Sequence, residues 1–240
     1  MTNILDRFIA KEQLAFRPQT RSQLVALRLA QKLGEPQSTQ HYAALAEQYS
    51  ESQLLTAFRR TMRSGENGDL AERFHVELQN LNVNASNGQC ENLLAVRVER
   101  RSIAVAVFKG EHLEHTDLRQ LSSDRSKAMS SALGFVNWVT DQYPPDSVAM
   151  ERMNVKEEIQ RQALDQAIKK TLDERGLPVW RMAKSELFFS FGHPGLRSRK
   201  ELRAVITNIW PILASVKGRD LICDAVAIAL HVELERLFVH

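Results

Sequence analysis

The chain has 240 residues, 43% of them hydrophobic and 25% charged, with a formal net charge of +3. These values suit a soluble globular protein of one large domain, or one domain with a smaller companion. No apolar run of membrane-spanning length occurs, and a charge this small means that any nucleic-acid contact must come from local clustering. The first residues, MTNILDRFIAKEQ, carry acids and lack the apolar core of a signal peptide. Cys90 and Cys223 lie far apart and are expected as free thiols in a reducing, cytoplasmic setting.

Residues 1–82 read as helical. Leu24, Leu27, Leu29 and Leu33 mark one apolar face, and Gly34-Glu35-Pro36 ends it. Ser38-Thr39 suits the cap of a second helix through Tyr42, Leu45, Ala46 and Tyr49. Ser50 or Ser52 starts a third, with Leu54, Leu55, Phe58 and Met62 expected inward. Leu70–Leu81 is a fourth. The pair joined near Tyr49–Ser52 fits a helix-turn-helix, with Arg59, Arg60 and Arg63 toward DNA. The favoured reading is the commoner helical pair, whose arginines form the solvated face of an amphipathic helix. The segment NVNASNGQ has no periodicity and reads as a linker. The expected domains are a helical segment, 1–82, a linker, 83–90, and a second domain, 91–240.

That second domain opens on LLAVRVERRSIAVAVF. Leu93–Val96 and Ile103–Phe108 read as strands, with Arg97 to Arg101 as the turn between them. The second run is almost continuously apolar, as in a strand buried on both faces. Lys109-Gly110-Glu111 is a tight turn and Glu114–Leu121 a third strand. Ser123-Asp124 is placed to cap a helix through Trp138. Ser147–Met150 reads as a short strand ending in Glu151, Val155–Arg175 as a helix closed by Gly176, and Leu177–Met182 as a strand. A loop flanked by aromatics then leads into a helix reaching Trp210, and Asp220–Phe238 is an apolar helix. Strands alternating with helices define a mixed α/β sheet. Trp138, Trp180 and Trp210 are expected in the core.

Three segments, taken in order, resemble the RuvC-type Holliday junction resolvases, a family with the ribonuclease H-like fold. The LLAVRVERRSIAVAVF strand pair resembles the family's opening strands. SVAME, Ser147–Glu151, resembles the strand ending in its second acidic residue. GLPVWRMA, the basic loop Gly195–Arg203 and the Asp-Ala-Val-Ala-Ile-Ala-Leu-His run from Asp224 to His231 resemble the remainder. The resemblance covers about 90–235. It implies a ribonuclease H-like sheet flanked by helices, a two-fold homodimer, and branched DNA as the partner. The helix Asp124–Val139 is a candidate dimer element.

The family's chemistry is phosphodiester hydrolysis by two Mg²⁺ ions about 4 Å apart. Such ions take oxygen ligands, so several carboxylates must meet at one edge of the sheet. Here the pattern departs. The position of the first-strand acid falls on Arg97. Glu151 and Asp224 match the family's acids, Asp220 lies one helical turn before Asp224 instead of three residues before it, and Glu99 is the nearest replacement for the first acid. A fixed positive charge at Arg97 competes with metal and is able to pair with Glu151 or Asp224. The expectation is a nuclease relative that binds DNA with catalysis lost or impaired, a pseudo-nuclease. The alternative is an active Mg²⁺-dependent endonuclease using Glu99, Glu151, Asp220 and Asp224. A third reading is a protein-interaction module that recruits a protein partner through the N-terminal helices. Taken without the resemblance, Asp224 reads as a helix-start acid and Glu151 as a surface carboxylate at a strand end.

The nucleic-acid candidates are Arg197, Arg199, Lys200 and Arg203, beside Phe188, Phe189, Phe191 and His193, with Arg97 at the acidic edge. In the resemblance, Lys200 matches the family's basic residue near the active site. The cations oppose the helix dipole at that end, which argues for binding. The phenylalanines are expected in the core. His231 reads as a packing residue, and the seven histidines show no zinc spacing with the cysteines.

Overall fold

The computed structural model describes residues 18–35, 38–63, 69–81, 92–110, 112–153, 158–191 and 198–239. The chain divides into two compact units. One holds the residues up to 88 with 188–209 and 233–240; the other holds 89–187 and 210–232. The expected linker, 83–90, lies outside the described residues.

In the first unit the N-terminal helices form as their apolar spacing predicts. Helix α1, Arg21–Lys32, is capped by Thr20, whose hydroxyl accepts from the Gln23 amide, and it buries Leu24 through Ala30. Helix α2, Thr39–Gln48, and helix α3, Glu51–Arg63, are joined by Tyr49 and Ser50. Ser50 and Gln53 cap α3 reciprocally: the Gln53 amide donates to Ser50 Oγ, and the Ser50 amide donates to Gln53 Oε1. Helix α4, Leu70–Gln79, starts at Asp69. Arg21 binds Glu51 at 3.1 Å and Glu233 at 2.7 Å, and the buried Arg28 pairs with Glu235. Met62 is 52% exposed, against the expectation that it points inward. The buried stripe of α3 continues instead through Thr61, whose hydroxyl is satisfied by the Ala57 carbonyl, so Met62 falls one position round the helix.

The second unit is built on a five-stranded sheet in the order β3-β2-β1-β4-β5. Its strands are β1, Asn92–Glu99; β2, Ser102–Lys109; β3, His112–Gln120; β4, Ser147–Glu151; and β5, Val179–Met182. The first three form an antiparallel meander, and β4 and β5 run parallel to β1. The expected Arg97–Arg101 turn shrinks to Arg100 and Arg101, because Arg97 and Glu99 remain in the ladder opposite Ala104 and Ser102. A charged residue does not end a strand when opposite charges meet it there, as Glu99, Glu151 and Asp224 do at Arg97.

Helix α5, Arg125–Gln142, is capped by Asp124, and helix α6 runs Ile159–Glu174. Both pack on the sheet face formed by Leu94, Val96, Val98, Ile103, Val105, Val107, Val148 and Met150. Alternation along a strand therefore puts Ala95, Arg97, Glu99, Ala149 and Glu151 on the opposite face. Trp138 and Trp180 are 44% and 42% exposed, correcting their assignment to the core. Trp138 stacks on Phe135 at the surface of α5, and β5 is an edge strand with one open side, so neither indole reaches the interior. Trp210 is half-buried and meets Phe108 edge-on at 5.7 Å.

Between β5 and the basic segment the chain forms helix α7, Lys184–Ser190, whose last three residues fall where the sequence predicts the start of a loop at Phe188. Helix α8, Arg199–Ile209, belongs to the first unit, and helix α9, Arg219–Val239, closes the chain. Entry into α9 passes through Gly218, at φ +75°; a Cβ there would stand 2.9 Å from Leu118 Cδ1. Gly218→Ala is expected to cost about 1–2 kcal/mol, since left-handed backbone strains an L-residue while the leucine tip can yield. Urea unfolding of the variant measures it.

Candidate functional site: an arginine among three carboxylates

The parallel register pairs Val96 with Met150. The next residues on each strand, Arg97 and Glu151, therefore emerge side by side on the same face, at the C-terminal ends of β1 and β4. Both are buried, Arg97 at 2% exposure and Glu151 at 5%. Arg97 Nη1 lies 2.8 Å from Glu151 Oε2, and Nη2 lies 2.5 Å from Glu99 Oε1. Asp224, at 1% exposure on α9, brings Oδ2 to 3.8 Å from Arg97 Nε. One guanidinium thus faces three carboxylates, using its planar fork to reach several at once.

The two bland expectations for these acids are overturned. Glu151 is no surface carboxylate, and Asp224 sits past the first turn of α9, where it neither caps the helix nor meets water. Asp220 is different: its side chain is 64% exposed and lies 3.7 Å from Arg219. The buried cluster therefore contains Glu151 and Asp224 with Glu99 at its 38%-exposed rim. Among the described residues, no group of three or more His, Cys, Asp or Glu side chains has the arrangement of a metal site.

Sequence reading missed Arg161. It sits on α6 at 7% exposure, donates from Nε to the Val98 carbonyl at 2.9 Å, and lies 3.5 Å from Glu99. Its signal is present in the chain: Arg161 lies at helical spacing from Leu164, Ile168 and Leu172, on a stripe that is otherwise buried. The same stripe hides Asp165, which accepts from both Arg181 terminal nitrogens, at 3.1 and 2.5 Å. Arg181 belongs to β5, opposite Met150.

The basic candidates fall in the first unit, on α8. Lys200 is exposed, Arg199 and Arg203 are half-buried, and Arg197 and His193 lie outside the described residues. Ser198 and Glu201 form a reciprocal cap at the start of this helix: the Glu201 amide donates to Ser198 Oγ, and the Ser198 amide donates to Glu201 Oε2. Phe191 is fully buried, as expected of the loop aromatics, and Phe188 is half-buried. His231 is buried at 7% on α9.

A meander of three antiparallel strands extended by two parallel ones, with helices against it and acids at the strand ends, defines a ribonuclease H-like nuclease fold. No protein-family model matches the chain. A curated relative, the crossover junction endodeoxyribonuclease RuvC of Corynebacterium diphtheriae, is 30% identical over 135 residues, which cover 55% of this chain and 78% of the relative. The solved structure of Thermus thermophilus RuvC is similar with a TM-score of 0.51 at 17% identity, over 62% of this chain and 96% of that one. The same protein in complex with Holliday junction substrate gives 0.52 at 15% identity, over the same shares. The chain belongs to the RuvC-type Holliday junction resolvase family.

Proposed function

We propose that this protein binds branched DNA as a homodimer and has lost phosphodiester cleavage. The observation that carries the reading is the Arg97 guanidinium, 2.8 Å from Glu151 and 3.8 Å from Asp224. A two-metal centre gathers about four positive charges among carboxylates, and a buried guanidinium repels them while occupying the same oxygens. These residues do not fit a pair of Mg²⁺ ions. DNA as the partner is supported by the relative's name, a crossover junction endodeoxyribonuclease, and by the Thermus protein solved with its Holliday junction substrate. The cations of α8 support it independently. Ser198 and Glu201 already cap that helix, and positive charge at its start opposes the dipole, so Arg199 and Lys200 suit phosphates better than they suit the helix.

The test is a synthetic four-way junction incubated with Mg²⁺ or Mn²⁺, with binding and cleavage read on the same substrate. Binding without cleavage is expected. Metal-dependent cleavage that disappears in Glu151→Gln overturns the reading and points to Glu99 or Asp220 as a replacement ligand. Neither binding nor cleavage favours the interaction module. Replacing Arg199, Lys200 and Arg203 together with Ala should weaken junction binding at every sequence tested. It should also flatten the plot of log affinity against log salt by up to about 0.9 for each phosphate that is no longer neutralised. An unchanged slope removes α8 from the interface.

A further inference from the structure

We propose that Arg97 is a resident cation that does the structural work of the missing metals, so that the acidic edge stays assembled without any divalent ion and becomes metal-responsive once the guanidinium is removed. The inference rests on the reading of this edge as a former two-metal site. Acids held close together at a sheet edge need a counter-charge, because each buried carboxylate otherwise loses its hydration and meets its neighbours' charge. In this protein the counter-charge is built into β1. Among the described residues, Arg97 and Arg161 supply two buried positive charges beside the buried carboxylates of Glu151 and Asp224, and Glu99, a third carboxylate, links both arginines at the rim. Arg97 already brings positive charge to Glu151 at 2.8 Å, so an added ion would have to displace the guanidinium to enter.

The backbone that would hold a metal is nonetheless retained. Glu151 still ends β4, Asp224 still lies on α9, and position 97 still points between them from β1. An oxygen donor at 97 would complete a three-carboxylate set of the kind hard divalent cations take. Arg97→Asp should therefore gain what the natural protein lacks.

The experiment follows thermal unfolding of the full chain in EDTA and in millimolar Mn²⁺. The natural protein should unfold at the same temperature in both. Arg97→Asp should unfold earlier in EDTA and gain about 3–6 °C in Mn²⁺, saturably, as expected when an ion binds only the folded state. Adding Glu151→Gln to Arg97→Asp should abolish that gain. Should Arg97→Asp fail to fold in EDTA, its refolding in Mn²⁺ and not in EDTA is the supporting result. Arg97→Ser, with less charge to accommodate, then provides the titration. A saturable Mn²⁺ shift in the natural protein that Glu151→Gln removes overturns the proposal. So does an absent Mn²⁺ effect in both Arg97 variants. Junction binding is scored separately: its loss defeats the DNA reading and leaves the Mn²⁺ result standing, and Mn²⁺-insensitive variants that still bind junctions defeat only the resident cation.

Discussion

Arg97→Met is expected to destabilise the second unit by about 3–5 kcal/mol, the range found when one partner of a buried ion pair is removed. Methionine keeps the apolar stem but ends short of the guanidinium, so a double-mutant cycle is needed to separate lost charge from lost packing. What remains is Glu151 at 5% exposure and Asp224 at 1%, on the same face, without the guanidinium between them. The measurement is equilibrium urea unfolding, with the slope checked so that a change in midpoint reports stability. Pairing the variant with Glu151→Gln gives a double-mutant cycle. If the pair is the source of the effect, Arg97→Met should cost much less in the Glu151→Gln background. Equal costs in both backgrounds would place the importance of Arg97 elsewhere. Arg97→Lys is the conservative control: an ammonium is a single compact charge, so it should recover only part of the loss.

Asp165→Ala should cost about 2–4 kcal/mol in the same assay. Its carboxylate is 3% exposed and holds Arg181 with two hydrogen bonds, tying α6 to β5. Arg181 is 21% exposed, so water relieves part of the stranded charge and the loss should fall below that of Arg97→Met. The consequence reaches the site through the sheet, because β5 flanks β4 and β4 ends in Glu151. Amide exchange should rise along Val179–Met182 and Ser147–Glu151 in this variant, while the meander β1–β3 keeps its protection. A loss below about 0.5 kcal/mol would mean that the bidentate contact is no constraint on that edge.

Most of the element order is readable from the chain, for reasons visible at particular residues. Leu24, Leu27, Leu29 and Leu33 recur at helical spacing and are buried, and Asp124 and Gly176 mark a helix start and a helix end by their own chemistry. The continuous apolar runs of β1 and β2 require burial on both faces, and the sheet places them at its centre and next to it. Glu99, two residues beyond Arg97, must share its face if the strand continues, and it does.

What the chain alone leaves open is decided by partners distant in sequence. Arg97 reads as the start of a turn because a charged residue in isolation favours water. It is a strand residue because Glu151 and Asp224, 54 and 127 positions away, neutralise it. Arg161 and Asp165 break an apolar stripe for no reason visible until Val98, Glu99 and Arg181 are brought against them. Residue type assigns Trp138 and Trp180 to the core, yet exposure depends on which side of a helix or an edge strand remains uncovered, and that is a property of the assembled sheet. Local propensity and periodicity set where helices and strands lie; the sharing of charge between β1, β4 and α9 is a many-body balance that exists only once those elements meet.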